Sequence, residues 1–212
     1  MKESFENLID IWENCEKILY LISNKSGELP RKGIKNFAKP ISGEIEKILE
    51  SGSVELNTEE DLINLVKKAQ KYSDVDEINR CFGINFSNIG DEKNTIEFRL
   101  PNGTVDATVW IQNINLFGGI MKACEELALI QTKQGELSEE EKKLIQNFEK
   151  LKHSKDENEK LECLLKLTIP EKNRGIYQDR YITNKKLLKE NLQIEAILSS
   201  KVAKRSCGYK KI

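Results

Sequence analysis

Apolar residues recur at three- and four-residue steps through residues 3–24, with Phe5, Leu8, Ile9, Ile11, Trp12, Cys15, Ile18, Leu19 and Ile22 on one broad face. That period predicts an amphipathic helix, ended by Asn24-Lys-Ser-Gly27. Residues 28–40, with Pro30 and Pro40, read as a connector. Ser42 stands before Gly43-Glu-Ile-Glu-Lys-Ile-Leu as a plausible cap of a short helix. Thr58-Glu-Glu-Asp opens another in a capping-box pattern, carrying Leu62, Ile63, Leu65, Val66 and Ala69 and ending near Tyr72.

After Asp74-Val-Asp-Glu the period changes to two. Gly83-Ile-Asn-Phe-Ser-Asn-Ile alternates, Gly90-Asp-Glu-Lys-Asn turns, and Thr95-Ile-Glu-Phe-Arg-Leu alternates again. The expected product is a β-hairpin. Ile84, Phe86, Ile96, Phe98 and Leu100 would face the core, and Asn85, Ser87, Thr95, Glu97 and Arg99 the opposite side. Glu97 and Arg99 then stand side by side, about 7 Å apart by strand rise. Pro101-Asn102-Gly103 is a tight turn. Thr104 or Asp106 caps a long helix whose apolar positions include Val109, Trp110, Ile114, Phe117, Ile120, Met121, Cys124 and Leu127, expected to pack on the back of the hairpin. Beyond residue 136 come charged helices from Leu137-Ser-Glu-Glu-Glu, from Asp156 to Leu167, and from Asn184 or Lys185 to about Ser200, with Pro170 as a break and residues 201–212 as a basic tail.

These elements make an α+β chain, predominantly helical, with a small antiparallel hairpin packed on a long helix. Residues 1–130 form one portion and 131–212 a charged helical appendage. Of the 212 residues, 33% are charged, and the formal net charge of −1 gives no global pull toward nucleic acid or anionic lipid. No apolar run approaches the ~20 residues that span a bilayer, and the first residues lack a signal-peptide stretch, so the expected location is cytoplasmic. Five scattered cysteines show no Cys-x-x-Cys spacing and read as structural thiols. The single histidine, His153, excludes any site needing two histidine ligands from this chain.

Arg80-Cys-Phe-Gly-Ile-Asn85-Phe, Thr95-Ile-Glu-Phe-Arg-Leu, Asn102-Gly-Thr-Val-Asp and Trp110-Ile-Gln, in this order, resemble the C-terminal half of the amidoligase family. Those are carboxylate–amine ligases with a fold similar to glutamine synthetase and glutamate–cysteine ligase. Arg31-Lys-Gly-Ile-Lys-Asn36-Phe-Ala-Lys39-Pro40 resembles the connector before that half, and the first helix with Trp12 resembles the segment preceding it. The resemblance covers roughly residues 5–130. It implies ATP-dependent amide formation through an acyl-phosphate, with ATP and Mg²⁺ as cofactors and a carboxylate and an amine as substrates. Glu97 falls on a metal-holding, catalytic position. Arg99 falls where a cation could neutralise a transferring phosphoryl group. Arg80, Asn85 and Thr104 fall on substrate- or nucleotide-binding positions, although Thr104 also suits a plain helix-capping role.

The family's opening strands, with their closely spaced glutamates, have no counterpart before residue 28. The expectation is a truncated or split ligase, inactive in isolation and completed by an N-terminal polypeptide or by a homo-oligomer. The competing expectation is a non-catalytic helical protein-interaction module, in which Glu97 and Arg99 are an ordinary surface pair.

Overall fold

A computed structural model of the chain describes residues 2–30, 34, 38–52, 56–72, 75–78 and 81–199. Its elements, in chain order, are α1 (Lys2–Ile22), α2 (Ser42–Glu50), α3 (Glu59–Ala69), β1 (Lys71–Tyr72), β2 (Val75–Ile78), β3 (Ile84–Asn88), β4 (Thr95–Phe98), α4 (Ala107–Gln131), α5 (Glu139–His153), α6 (Glu157–Thr168), α7 (Glu171–Glu190) and α8 (Leu192–Ser199). The chain is α+β and mostly helical. Among the described residues the sheets are two antiparallel pairs, β1 with β2 and β3 with β4.

Helix α1 is the hub. It packs on α4, α7, α6, α3, α5 and α2, and one contiguous set of buried apolar side chains runs from Phe5 to Leu198. A stripe as wide as that of α1 can satisfy several neighbours at once, each fully buried Leu or Ile contributing about 1.5–3 kcal/mol. Phe5 meets Phe86 edge-on at 5.6 Å. Trp12 stacks on Phe98 at 5.8 Å, and Phe98 on Phe117 of α4 at 4.5 Å. The hairpin's apolar side is thus held between two helices, and α4 takes α1 as its main partner and touches the hairpin through Phe117.

Buried polar groups hold the joints. The expected Ser42 cap is replaced: Ile41 is the N-cap of α2 and offers no side chain. Glu16 of α1 reaches across instead, accepting from Ile41 N at 2.9 Å, Ser42 N at 3.0 Å and Ser42 Oγ at 2.6 Å. A carboxylate suits the unpaired N–H groups of a helix start. Thr58 and Asp61 form the reciprocal capping box on α3.

The sequence predicts a helix only from Asn184 or Lys185 onward, whereas α7 begins at Glu171 and ends at Glu190. Its buried positions are Tyr177, Arg180, Tyr181, Asn184 and Leu188, and two of these five are strongly polar. Asn184 Nδ2 donates to Leu21 O at 2.8 Å and to Lys25 O at 3.1 Å, and Arg180 Nη1 donates to Ile22 O at 3.0 Å. These side chains satisfy carbonyls that the end of α1 leaves open. An apolar-periodicity reading passes over a helix whose inner face does that work.

The connector closes the hairpin's inner edge. Lys39 N donates to Cys81 O at 2.7 Å, and Gly83 N donates to Lys39 O at 2.9 Å. Tyr20 donates its hydroxyl to Ala38 O at 2.5 Å, and a Cβ on Gly83 would collide with the Tyr20 hydroxyl oxygen. Only glycine fits there. Among the described residues, no helix is long and apolar enough to cross a membrane, Cys15, Cys124 and Cys163 are free buried thiols, and Cys81 is buried as well. The basic tail, residues 201–212, lies outside the described residues.

Candidate functional site

Strand β4 alternates as its sequence demands: Thr95 and Glu97 are exposed, while Ile96 and Phe98 are half-buried against the core. Ile84 pairs with Phe98 and Asn85 with Glu97, and a register shift follows between Asn85 and Asn88. Arg99 N donates to Gly83 O at 2.7 Å, which carries the ladder one residue past β4. Glu97 and Arg99 therefore project on the same side, with Arg99 Nε 3.4 Å from Glu97 Oε1. The Glu97 side chain is largely exposed and that of Arg99 mostly covered, and a pair open to solvent on one side contributes about 1 kcal/mol to stability.

Glu97 is positioned from below. Asn85 Nδ2 donates to Glu97 Oε2 at 3.0 Å. Asn85 Oδ1 in turn accepts from Gln70 Nε2 at 3.2 Å and from Ser87 N at 3.0 Å. Gln70 Oε1 accepts from Phe86 N at 2.8 Å. The expected open polar face on β3 is thus not open: Asn85 and Ser87 are buried, because Gln70, the C-cap of α3, lies over them. Gln70 stands outside the residues that the hairpin pattern points to. Its signal was its place four residues after Val66, a polar side chain on the apolar stripe of α3.

At the start of α4 the choice between Thr104 and Asp106 resolves to Asp106, whose side chain accepts from Thr108 N at 2.9 Å. That hydrogen bond is the main reason its carboxyl lies below the usual carboxylate range. Thr104 Oγ1 accepts from Asp106 N at 3.1 Å, and Trp110 Nε1 donates to Thr104 O at 2.9 Å. Arg80 lies outside the described residues. Glu97, Arg99 and Asn85 form one bonded row, and Thr104 stands on the wall of the cleft beside Glu97.

That cleft, about 570 Å³, opens between β4, the Pro101–Thr104 turn and the first turns of α4. It corrects the reading of α4. Periodicity places Trp110, Ile114 and Met121 on the core stripe, but they are 58%, 63% and 40% exposed. The buried stripe instead runs through Val109, Asn113, Leu116, Phe117, Ile120, Cys124 and Leu127. Both sides of α4 carry apolar residues, so periodicity alone does not choose between them, and contact with α1 does. Trp110 and Ile114 form one side of the cleft, and Asn113 sits among its lining.

A hard cation such as Mg²⁺ takes oxygen ligands, usually one or two carboxylates together with substrate phosphates. The exposed Glu97 carboxylate fits that habit as a single ligand: its two oxygens have room for more than the Asn85 and Arg99 contacts. Among the described residues no group of three His, Cys, Asp or Glu side chains is placed to cage a metal by itself.

A family model described as "putative amidoligase enzyme" matches residues 2–121. No curated protein and no solved structure matches the chain.

Proposed function

This chain belongs to the amidoligase family, and on that premise we propose that it contributes to an ATP-dependent ligase joining a carboxylate to an amine, with Glu97 and Arg99 at the reacting centre. The observation that supports the reading most is the buried Gln70–Asn85 relay, which aims one carboxylate beside one guanidinium on a strand. A surface pair needs no such support, whereas groups that handle phosphate must be held in place.

In this reading a substrate carboxylate oxygen attacks the γ-phosphorus of ATP, and the bond to the β-phosphate bridge breaks with its electron pair on ADP. The amine nitrogen then attacks the acyl carbon. The C–O bond breaks, phosphate leaves with the pair, and the amine gives up a proton. Arg99 spreads positive charge over the transferring phosphoryl oxygens through its planar fork. Glu97 would hold Mg²⁺, and Asn85 orients Glu97 through the bond from its Nδ2. The metal, when bound, offsets charge that builds on the phosphoryl oxygens. Thr104 and Arg80 contact substrate or nucleotide. The hairpin then corresponds to part of a glutamine synthetase-like sheet whose Glu97 and Arg99 bind the Mg²⁺-bound triphosphate in this chain alone, and a second polypeptide or a second copy adds to the outer edge of β4 to complete the centre for catalysis.

The test is ATP binding to the purified chain, followed through the Asn85 side-chain amide resonances. With Mg²⁺ present, ATP is expected to shift them saturably, at least tenfold more weakly in Glu97→Gln or without Mg²⁺. Affinity indifferent to both changes, or no shift at all, overturns the reading.

A further inference from the structure

Strand β4 leaves one edge of the hairpin open. Ile84 pairs with Phe98, and Arg99 N donates to Gly83 O at 2.7 Å, between the residues next to that pair. A pair flanked in this way is a non-hydrogen-bonded one, so the N–H and C=O of Phe98 point away from β3. Ile96, two residues back on the same strand, points its own N–H and C=O the same way. Among the described residues nothing bonds to these outward groups. The apolar cleft runs along this edge. Three consecutive residues, Ile96, Glu97 and Phe98, line it, which a cleft on one face of a strand would not give, and Trp110 and Ile114 form its far side. Unpaired backbone groups beside uncovered apolar side chains are a template for another strand.

We infer that the occupant of this edge is a second copy of the chain, its β4 antiparallel to the first about a twofold axis through Glu97. The edge is self-complementary in that register. Ile96 of each copy faces Phe98 of the other, and every outward N–H and C=O of the two residues finds a partner, as a contact between identical surfaces requires. An axis through Phe98 would set Ile96 against Leu100, which is only 2% exposed and offers no edge. An axis through Ile96 would set Phe98 against Asn94, which turns away from the strand at φ 41°. In the register that remains, Glu97 faces Glu97 of the second copy, with Cα atoms about 4.5 Å apart. Like charges at that spacing oppose the contact, but each Arg99 stands diagonally across from the other copy's Glu97, within reach of a long side chain. One carboxylate per chain thereby becomes two on a shared polar face, and a hard cation usually takes one or two from protein. That use of the pair rests on the ligase reading; the pairing of the edges does not. An aromatic side chain buries about 150–250 Å². Trp110 and Ile114 are already partly covered, so with one short strand they supply less than the about 800 Å² per partner of a standard interface. The dimer is therefore expected to be weak, with a Kd on the order of 10–100 µM.

The full chain is sedimented without ATP or Mg²⁺ at concentrations from about 5 to about 500 µM, spanning the expected Kd. Amide exchange is followed at both ends of that range. A monomer–dimer equilibrium is expected, with the Ile96 and Phe98 amides slowed at least tenfold at the high end. Glu97→Cys puts two thiols across the axis, inside the about 4.4–6.8 Å Cα separation of a disulfide. It is expected to crosslink with oxidised glutathione, whereas Thr95→Cys, whose counterpart lies far along the other strand, is not. Ile96→Pro removes an outward N–H that the monomer does not use. It is expected to fold and to weaken the dimer at least tenfold; if it unfolds, exchange and crosslinking decide. A chain that stays monomeric leaves the edge to a different polypeptide and overturns the inference. A dimer without slowed Ile96 and Phe98 amides, or equal crosslinking by the two cysteine variants, overturns it as well. A monomer that binds ATP with Mg²⁺ sinks this inference alone, and a dimer of the expected kind without such binding sinks the ligase reading alone.

Discussion

Asn85 and Glu97 face each other across β3 and β4, and Asn85 Nδ2 donates to Glu97 Oε2 at 3.0 Å. The two ends of this bond differ in kind. Asn85 is buried and carries Gln70 Nε2 and Ser87 N on its other oxygen, whereas the side chain of Glu97 is 57% exposed. Asn85→Ala strands two buried donors and is expected to lower unfolding free energy by about 1–3 kcal/mol. Glu97→Gln is expected to change it by less than about 1 kcal/mol. Urea denaturation of both variants measures this. A Glu97→Gln variant as unstable as Asn85→Ala would make Glu97 a structural residue.

Glu16 stands among four donors: Trp12 Nε1 at 2.8 Å and the three groups at the start of α2. Burial, the largest influence, raises its carboxyl above the usual range, and the hydrogen bonds from Ser42, Ile41 and Trp12 oppose it. Glu16→Leu leaves those donors buried without an acceptor and is expected to cost about 3–5 kcal/mol. Glu16→Gln keeps one oxygen and is expected to cost less. Thermal unfolding of the two should rank them in that order.

Glu13 lines a polar cleft with Lys17, Glu46 and Lys160, and its Oε1 has no partner. Burial first, then the carboxylates of Asp10, Glu46 and Glu16, push its carboxyl from the ordinary 4.5 up to about 7. The folded chain therefore holds a proton that the unfolded chain releases, and this group makes stability fall as pH rises from about 4.5 to about 7. Glu13→Gln is expected to be about 2–3 kcal/mol more stable than the parent at pH 8 and equal to it at pH 4. Denaturation curves at the two pH values decide it.

Glu157 behaves in the opposite sense. Burial would raise its carboxyl, but bonds from Lys185, Lys17 and Tyr181 outweigh burial and hold it at about 2 instead of 4.5. It joins α6 to α1 through Lys17 at 3.0 Å and to α7 through Lys185 at 2.8 Å. Its contribution is complete above the unfolded value and is lost as pH falls from about 4.5 toward 2. Since the group is partly solvated, Glu157→Gln is expected to cost only about 1–2 kcal/mol at pH 7, and nothing at pH 2. A variant equal to the parent at pH 7 would remove this latch.

Neighbouring glycines in α4 should respond in opposite directions. A Cβ on Gly119 would stand 2.1 Å from Thr168 O, a backbone atom at the end of α6, whereas a Cβ on Gly118 meets nothing within 4 Å. Gly119→Ala is expected to lose about 3 kcal/mol by forcing the helices apart. Gly118→Ala is expected to gain about 0.5–1 kcal/mol from helix propensity alone. Paired thermal melts check the contrast.

Much of this molecule could be read from local patterns, because local rules made it. The stripe of α1, the Thr58–Asp61 box, the Ser138 and Asp156 caps of α5 and α6, and the hairpin with Glu97 beside Arg99 each follow from residues a few positions apart. The period of two is enough to put Glu97 and Arg99 on one side of a strand whatever that strand packs against.

What stayed hidden depends on residues distant in sequence. Glu16 caps a helix that begins 26 residues later, Gln70 supports Asn85 from another element, and Asn184 and Arg180 finish α1 from α7, more than 150 positions away. The outward side of Trp110 and Ile114 and the orphan oxygen of Asn113 were settled by where α1 happens to press on α4. The chain's own order determined that α1, the β3–β4 hairpin and α4 form and which face of the ribbon carries charge, since backbone periodicity acts over a few residues. Packing decided which polar groups are buried and where a cleft remains, because a buried donor or acceptor must be matched by whatever the fold brings within about 3 Å.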